Sequence, residues 1–405
     1  MRAAAGTLCV RPWQGVAAGR SFARRIRVSM AESSPHQRDA RRVLVYAPMG
    51  ETPSGHELAS HLWVAERLAG LLGMSYGGIG RDTERHPRGA RYVVPYRTLS
   101  LREARRFGIE SADDLFGGAV SQAFMGTKLI THGLLRAGAV APAGWSEPFA
   151  EKVRDVVLPG YSVFTAADLR EAAGALLREG RVRIKSPYDS GGLGQRVIDT
   201  LAELEPLIEA RGHGPWLEDG LVVERNLSDV ATISVGTVLL DGIQASYVGR
   251  QRGARNHGGA MVYGGTDLLC TRGDLEALRQ LPLTGDQRLA VEQARCYHDE
   301  ALACFPGTFA SRANYDVAQG RDDGGRWYSG VLEQSWRIGG ASAAEVEAVG
   351  ALLDHPSRRA VWAATRESYD PAETVPEDAK MVFRGDDPDV GYLVKYVRTR
   401  RSAGT

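Results

Sequence analysis

The sequence predicts a mixed α/β and α+β protein built in at least two parts. Three observations carry this. Short apolar runs alternate with helix-like periods between residues 43 and 106. A strand-like run, Val182-Arg183-Ile184-Lys185, delivers a lysine into a loop with three glycines among four residues. Two longer apolar stretches, 310–317 and 327–336, face each other across a polar loop at 319–326.

The chain has 405 residues, enough for two or three domains with sizeable cores. It is 43% hydrophobic and 24% charged, with a formal net charge of +1. A near-neutral chain has no global field that would select nucleic acid or an anionic bilayer, so neither is an expected partner. No apolar run approaches the length of a membrane span. The four cysteines, Cys9, Cys270, Cys296 and Cys304, form no CxxC pair. Reduced thiols in a cytoplasmic protein are expected.

Residues 1–41 are unlike the rest. Arg2, Arg11, Arg20, Arg24, Arg25 and Arg27 all precede the first acid, Glu32, and no apolar period accompanies them. This composition suits an organelle transit peptide, a disordered basic tail, or an over-long reading frame whose true start is Met30. The Ala, Arg and Gly content of the whole chain favours the third reading. A preceding α/β domain is expected over 42–125, a larger domain over 126–370, and a terminal strand or hairpin with a tail over 371–405.

Each element has a local reason. Val43-Leu44-Val45-Tyr46 reads as a buried strand stopped at Pro48, with a loop over 50–55. Apolar residues at 58, 62, 64, 65, 68 and 72 line one face of a helix that Gly73 ends. Tyr92-Val93-Val94 is a second strand, and Ser100 with Glu103 makes a capping box for the next helix. A helix is expected over 127–137, stopped by Gly138. Strand 161–164, helix 166–178, the lysine strand, helix 201–210 and strand 221–224 follow. Asp241-Gly242 turns a hairpin between 231–240 and 243–248. Helix 285–303 precedes the two long strands, and 381–397 reads as a strand or hairpin.

The glycine loop holds the clearest chemistry. Glycine lets backbone N–H groups approach an anion, and a lysine beside it adds a point charge. Lys185 with Ser190, Gly191, Gly192 and Gly194 therefore reads as a flap over nucleotide phosphates, against the plainer alternative of a hairpin turn with a solvated lysine. GxxxxGK[ST] is absent, so this is not a P-loop. Arg250, Gln251, Arg252, Arg255, Asn256 and His257 read as a cationic loop after the hairpin, able to line an anionic pocket. Alternation along 333–337 puts Glu333, Ser335 and Arg337 on one strand face, with Gln334 and Trp336 on the other. Asn314 and Asp316 lie two apart, so both can face the Glu333 side.

Four features recur in one order: Lys128 early in the expected helix is followed by Lys185 with its flap, then Val223-Glu224-Arg225-Asn226-Leu227, then Glu333-Gln334-Ser335-Trp336-Arg337. This order resembles the ATP-grasp superfamily, over roughly residues 126–342. Asp114-Leu115-Phe116-Gly117-Gly118 and Pro142-Ala143-Gly144-Trp145 also resemble an uncharacterised bacterial family with the same motifs. The resemblance implies an ATP-grasp fold behind a small Rossmann-like α/β domain, with ATP between two lobes. It implies that Lys128 and Lys185 bind phosphates and that Glu224, Arg225, Asn226 and Leu227 form the adenine hinge. It implies Mg²⁺, or Mn²⁺, at Glu333 and the residue two later, with a second acid from the neighbouring strand, here Asp316. Where the family has Asn, this chain has Ser335, which puts a second metal ion in doubt. Arg337 and Arg252 are the expected catalytic cations.

The implied reaction is ligation: a small-molecule carboxylate is activated as an acylphosphate and attacked by an amine. Kinase-like phosphoryl transfer and a catalytically decayed nucleotide-binding protein are the rival readings. A homodimer is compatible with all three.

Overall fold

The computed structural model describes residues 41–47, 55–80, 91–188, 194–212, 214–217 and 219–400. The extension at 1–40 and the loop expected at 50–55 (Gly55 excepted) lie outside them, as do Ser190, Gly191 and Gly192 of the flap.

The first unit begins with β1 (Arg42–Tyr46), α1 (Gly55–Leu72), β2 (Ser75–Gly80) and β3 (Arg91–Pro95). β1 lies between β2 and β3, parallel to both. Val64, Ala65, Leu68 and Leu72 form the buried stripe of α1 that the apolar period predicts. β2 was not legible, because Ser75-Tyr76-Gly77-Gly78-Ile79-Gly80 carries three glycines and no apolar run. β4 (Leu99–Ser100) leads into α2 (Leu101–Arg106), and both halves of the Ser100–Glu103 capping box are made. β5 (Gly118–Val120) follows.

The expected helix over 127–137 is not there. Lys128–Thr131 form one 3₁₀ turn, and His132 beyond it is extended. Tertiary bonds win over local period here. Ser162 donates its N–H to Gly133 O and its hydroxyl to Leu129 O, pulling the segment against the next sheet. α3 (Glu147–Val153), β6 (Gly160–Val163) and α4 (Ala166–Leu177) come next. β7 (Val182–Lys185), β8 (Gln195–Ile198), α5 (Glu205–Arg211) and β9 (Leu221–Arg225) complete a four-stranded antiparallel sheet ordered β6-β9-β7-β8.

The rest builds a larger sheet. β10 (Ser228–Leu240) and β11 (Ile243–Arg255) are joined at Asp241-Gly242, both with positive φ as a type I′ turn requires. β12 (Met261–Arg272) pairs with β11 along its whole length. Residues 250–255 are thus strand and not the loop expected from their polarity. α6 (Gly285–Cys304), β13 (Phe309–Ala310), β14 (Arg312–Arg321) and β15 (Trp327–Ser335) follow. α7 (Ser342–Asp354) and β16 (Ala360–Ser368) were not anticipated. β17 (Lys380–Asp387) and β18 (Gly391–Arg400) form the expected terminal hairpin. The sheet order is β15-β14-β10-β11-β12-β16-β18-β17.

The large sheet is covered on both faces. Tyr315, Val317, Ile233 and Val248 share a core with Ala294 and Tyr297 of α6. Tyr247, Leu268 and Val361 face α7 and the first unit, sharing a core with Val43 and Leu68. Among the described residues no helix is long and apolar enough to cross a membrane.

Candidate functional site

Two buried lysines organise the site, Lys185 in the four-stranded sheet and Lys128 against the large one. Lys185 ends β7, and its Nζ lies 2.5 Å from Glu224 Oε1 on the adjacent β9. His132 Nε2 is 3.2 Å from the other oxygen of the same carboxylate. All three side chains are nearly inaccessible. Burial alone would raise Glu224, but Lys185 and His132 reverse that and hold its carboxyl down to about 2. Arg225, Asn226 and Leu227 turn elsewhere: Arg225 Nη2 meets Glu179 at 2.8 Å, Asn226 Oδ1 accepts from Arg183 at 2.8 Å, and Leu227 packs with Leu158 and Ala318.

Lys128 sits on the 3₁₀ turn, with Nζ 2.9 Å from Glu333 Oε2 on β15. The turn is tied to β15 from its other face: Gln334 Nε2 donates to Met125 O at 2.9 Å and to Thr127 O at 2.7 Å. One short segment therefore reaches both sheets, Lys128 to Glu333 and His132 to Glu224. Burial raises the Glu333 carboxyl, and Lys128, then Lys185 and Arg337, pull it below the usual carboxylate range.

Asp316 is the direct cross-strand partner of Glu333, and Asn314 of Ser335. The register that the long polar loop left open is thereby set. Asn314 Nδ2 and Ser234 Oγ donate to Asp316 Oδ1 at 2.9 and 3.0 Å, and Gln251 Nε2 donates to Ser234 Oγ at 3.0 Å. Burial and the neighbouring Glu333 hold the Asp316 carboxyl above its ordinary range despite these bonds. Two adjacent carboxylates, one raised by the other, are stabilised by a cation. Mg²⁺ commonly uses one or two carboxylates and completes its shell with phosphates and water, so Asp316 and Glu333 fit it. Among the described residues no group of three His, Cys, Asp or Glu side chains converges on one point.

Ser335 is engaged differently. Arg312 Nη1 donates to its hydroxyl at 3.1 Å and to its carbonyl at 3.0 Å. Arg312 is fully buried, with Nε and Nη2 held by Glu345 at 2.9 and 2.7 Å. Glu345 also accepts from Tyr247 OH at 2.7 Å, and Tyr247 OH reaches Asn314 Oδ1 at 2.9 Å. Gly236 makes room for this: a Cβ there would collide with the Tyr247 hydroxyl. Arg337 leaves β15 on the Glu333 side, half-buried, and its charge acts on both Glu333 and His61 of α1.

Arg252 is not brought to the carboxylates. Ser234, the neighbour of Asp316, pairs with Gly249, so strand alternation sends Arg250 and Arg252 to the opposite face. There Arg252 Nε pairs with Asp267 at 2.5 Å. His257, expected in the same loop, contacts Tyr392 O at 2.9 Å. Gly194, with φ near +64°, is the described end of the flap.

Three polar residues at the site were missed. Arg312 shares the strand face of Asn314 and Asp316, so the period-2 pattern could have found it. His61 lies one turn after Glu57, whose carbonyl accepts from its Nδ1 at 2.8 Å. No local signal marks His132, because its role follows from the turn at Lys128.

Two antiparallel sheets with paired lysines and carboxylates between them, behind a small α/β unit, are the ATP-grasp fold. Among solved structures, the chain is similar to pyruvate carboxylase of Rhizobium etli, at 14% identity and TM-score 0.50, over 89% of this chain and 36% of that one. It is also similar to N5-carboxyaminoimidazole synthetase from Staphylococcus aureus, at 11% identity and TM-score 0.49, over 90% and 95% of the two chains. Carboxyaminoimidazole ribonucleotide synthase from Aspergillus clavatus, complexed with ATP, gives 12% identity and TM-score 0.49 over 89% and 94%. No curated protein matches in sequence. The family model for proteins of unknown function DUF3182 matches residues 44–397, and the chain belongs to that family.

Proposed function

We propose that this protein is an ATP- and Mg²⁺-dependent ligase that joins a small-molecule carboxylate to an amine or similar nucleophile. One observation carries the reading: two buried lysines, each already paired with a carboxylate, are linked through the segment 128–132 that touches both sheets. Burying two lysines is costly, and a polyanion between the lobes gives both a purpose.

In this reading Lys185 and Lys128 hold the phosphates, and the main chain at 223–227 meets adenine. Asp316 and Glu333 would hold Mg²⁺, which when bound neutralises phosphate charge. Arg337 orients the substrate carboxylate. A carboxylate oxygen forms a bond to the γ-phosphorus as the bond to ADP breaks. The nucleophile then attacks the acyl carbon, phosphate leaves, and a proton is released from the nucleophile. The protein's contribution is positioning and fixed charge, as in other phosphoryl transfers.

The test is ADP release by the full chain with ATP, Mg²⁺ and a panel of carboxylic acids, with and without amines, using hydroxylamine to trap acylphosphate. Acid-dependent ADP release with a hydroxamate product supports ligation. A phosphorylated product that forms without acyl transfer would replace it with the kinase-like reading. Tight ATP binding with no turnover on any acid would favour the decayed protein, the reading that Ser335 suggests.

A further inference from the structure

The end of β15 carries an arrangement that the ligase reading does not use. Arg312 Nη1 is directed at three oxygens: Ser335 Oγ at 3.1 Å, Ser335 O at 3.0 Å, and Arg337 O. These hard oxygens lie beside the carboxylate pair, where a further divalent cation would look for ligands. The guanidinium cannot move aside cheaply. Its other two nitrogens are held by Glu345 on α7, and both side chains are almost wholly inaccessible. Breaking one partner of such a pair leaves a buried, uncompensated charge.

The cross-strand residue offers no substitute. Asn314 faces Ser335, but its Oδ1 shares the Tyr247 hydroxyl proton with Glu345, and its Nδ2 donates to Asp316. Both side-chain oxygens next to the carboxylates are therefore engaged by donors of the protein. A cation placed on Ser335 would also stand within a few ångströms of the Arg312 charge.

We propose that Arg312 occupies the position of a second metal ion, so that this site takes a single divalent cation, held by Asp316 and Glu333. Arg312 is a positioning residue here; it shapes the ligand set and touches no substrate. This rests on the nucleotide-and-metal reading above, and deepens it by stating the stoichiometry.

The experiment counts Mn²⁺. The full chain is held in excess over the non-hydrolysable analogue AMP-PNP, bound nucleotide is confirmed by calorimetry, and free Mn²⁺ is read by electron paramagnetic resonance. One Mn²⁺ per bound AMP-PNP is expected. Ser335→Asn should leave the count at one, because Arg312 still fills the place beside it. Glu333→Gln should weaken that one ion by more than the about 10–100-fold that loss of an outer partner costs. Two Mn²⁺ per nucleotide in the natural chain would overturn the proposal. So would a second ion gained by Ser335→Asn alone, since the serine and not the arginine would then be limiting. Absence of AMP-PNP binding would instead overturn the nucleotide reading, and this proposal with it.

Discussion

Replacing Lys185 with Met tests the heart of the site, and its outcome has two parts. In the proposed function Lys185 is a phosphate ligand, and in the structure it is the counter-charge of Glu224, 2.5 Å away. Glu224 falls from 4.5 to about 2 in the folded chain. A group depressed in this way contributes stability that is present above its unfolded pKa, and the contribution is lost as pH falls through the folded value. The drop corresponds to roughly 3 kcal/mol at neutral pH, shared between Lys185 and His132. Lys185→Met strips a buried carboxylate of its lysine, and a cost of about 3 kcal/mol is expected, the low end for an orphaned buried charge. It should also weaken AMP-PNP binding by about 1.5–3 kcal/mol, the range for a charge-assisted bond. The two effects separate in the double variant Lys185→Met/Glu224→Gln, which removes both charges. Denaturant unfolding followed by tryptophan fluorescence should show most of the stability restored. Calorimetry should show AMP-PNP affinity still reduced. If Lys185→Met is as stable as the natural chain, the buried pair is not what holds Glu224. If the folded double variant binds AMP-PNP normally, Lys185 is not a phosphate ligand.

Two further outcomes follow from the same electrostatics. In the proposed function, Glu333→Gln should abolish most turnover in the ADP-release assay while leaving metal-free AMP-PNP affinity little changed, because both lysines and the main chain at 223–227 are still there to meet the nucleotide; normal turnover at limiting Mg²⁺ would place the metal elsewhere. His61 is buried and, through burial first and Arg337 and Lys395 after it, is lowered from 6.5 to about 4. The unfolded chain then binds the extra proton between these values, so stability falls as pH drops from 6.5 to 4, by at most about 3 kcal/mol. His61→Asn should flatten that part of the pH–stability curve, and an unchanged slope would show that His61 titrates normally.

Much of this protein is legible along the chain. The apolar stripe of α1, the Ser100–Glu103 box, the Asp241-Gly242 turn and the alternation at 333–337 are local signals, and local signals survive folding. The same alternation put Asn314 and Asp316 on one face of their strand, able to meet the Glu333 side. What the chain alone could not supply was register and rotation. The Asp316–Glu333 pairing depends on how β14 and β15 slide past each other, and a one-residue slip would have put Asp316 in the core. Arg252 looked like a site residue because it is cationic and close in sequence to polar neighbours. Extended pairing of β11 with β12 turned it to the opposite face.

The segment after Thr127 shows the division most clearly. Its composition reads as helix, yet long-range bonds from Ser162 and Gln334 hold it as one turn followed by extended chain. That conformation alone lets Lys128 reach one sheet and His132 the other. The sequence by itself determined the fold class, the order of motifs and the types of residue at the site. Tertiary structure decided which of those residues meet, and that an arginine from the first residue of β14 fills the space beside Ser335. The physical reason is that strand faces and caps are set by neighbours in the chain, whereas register, sheet-to-sheet approach and buried ion pairs are set by contacts between residues distant in sequence, from tens to about two hundred positions apart.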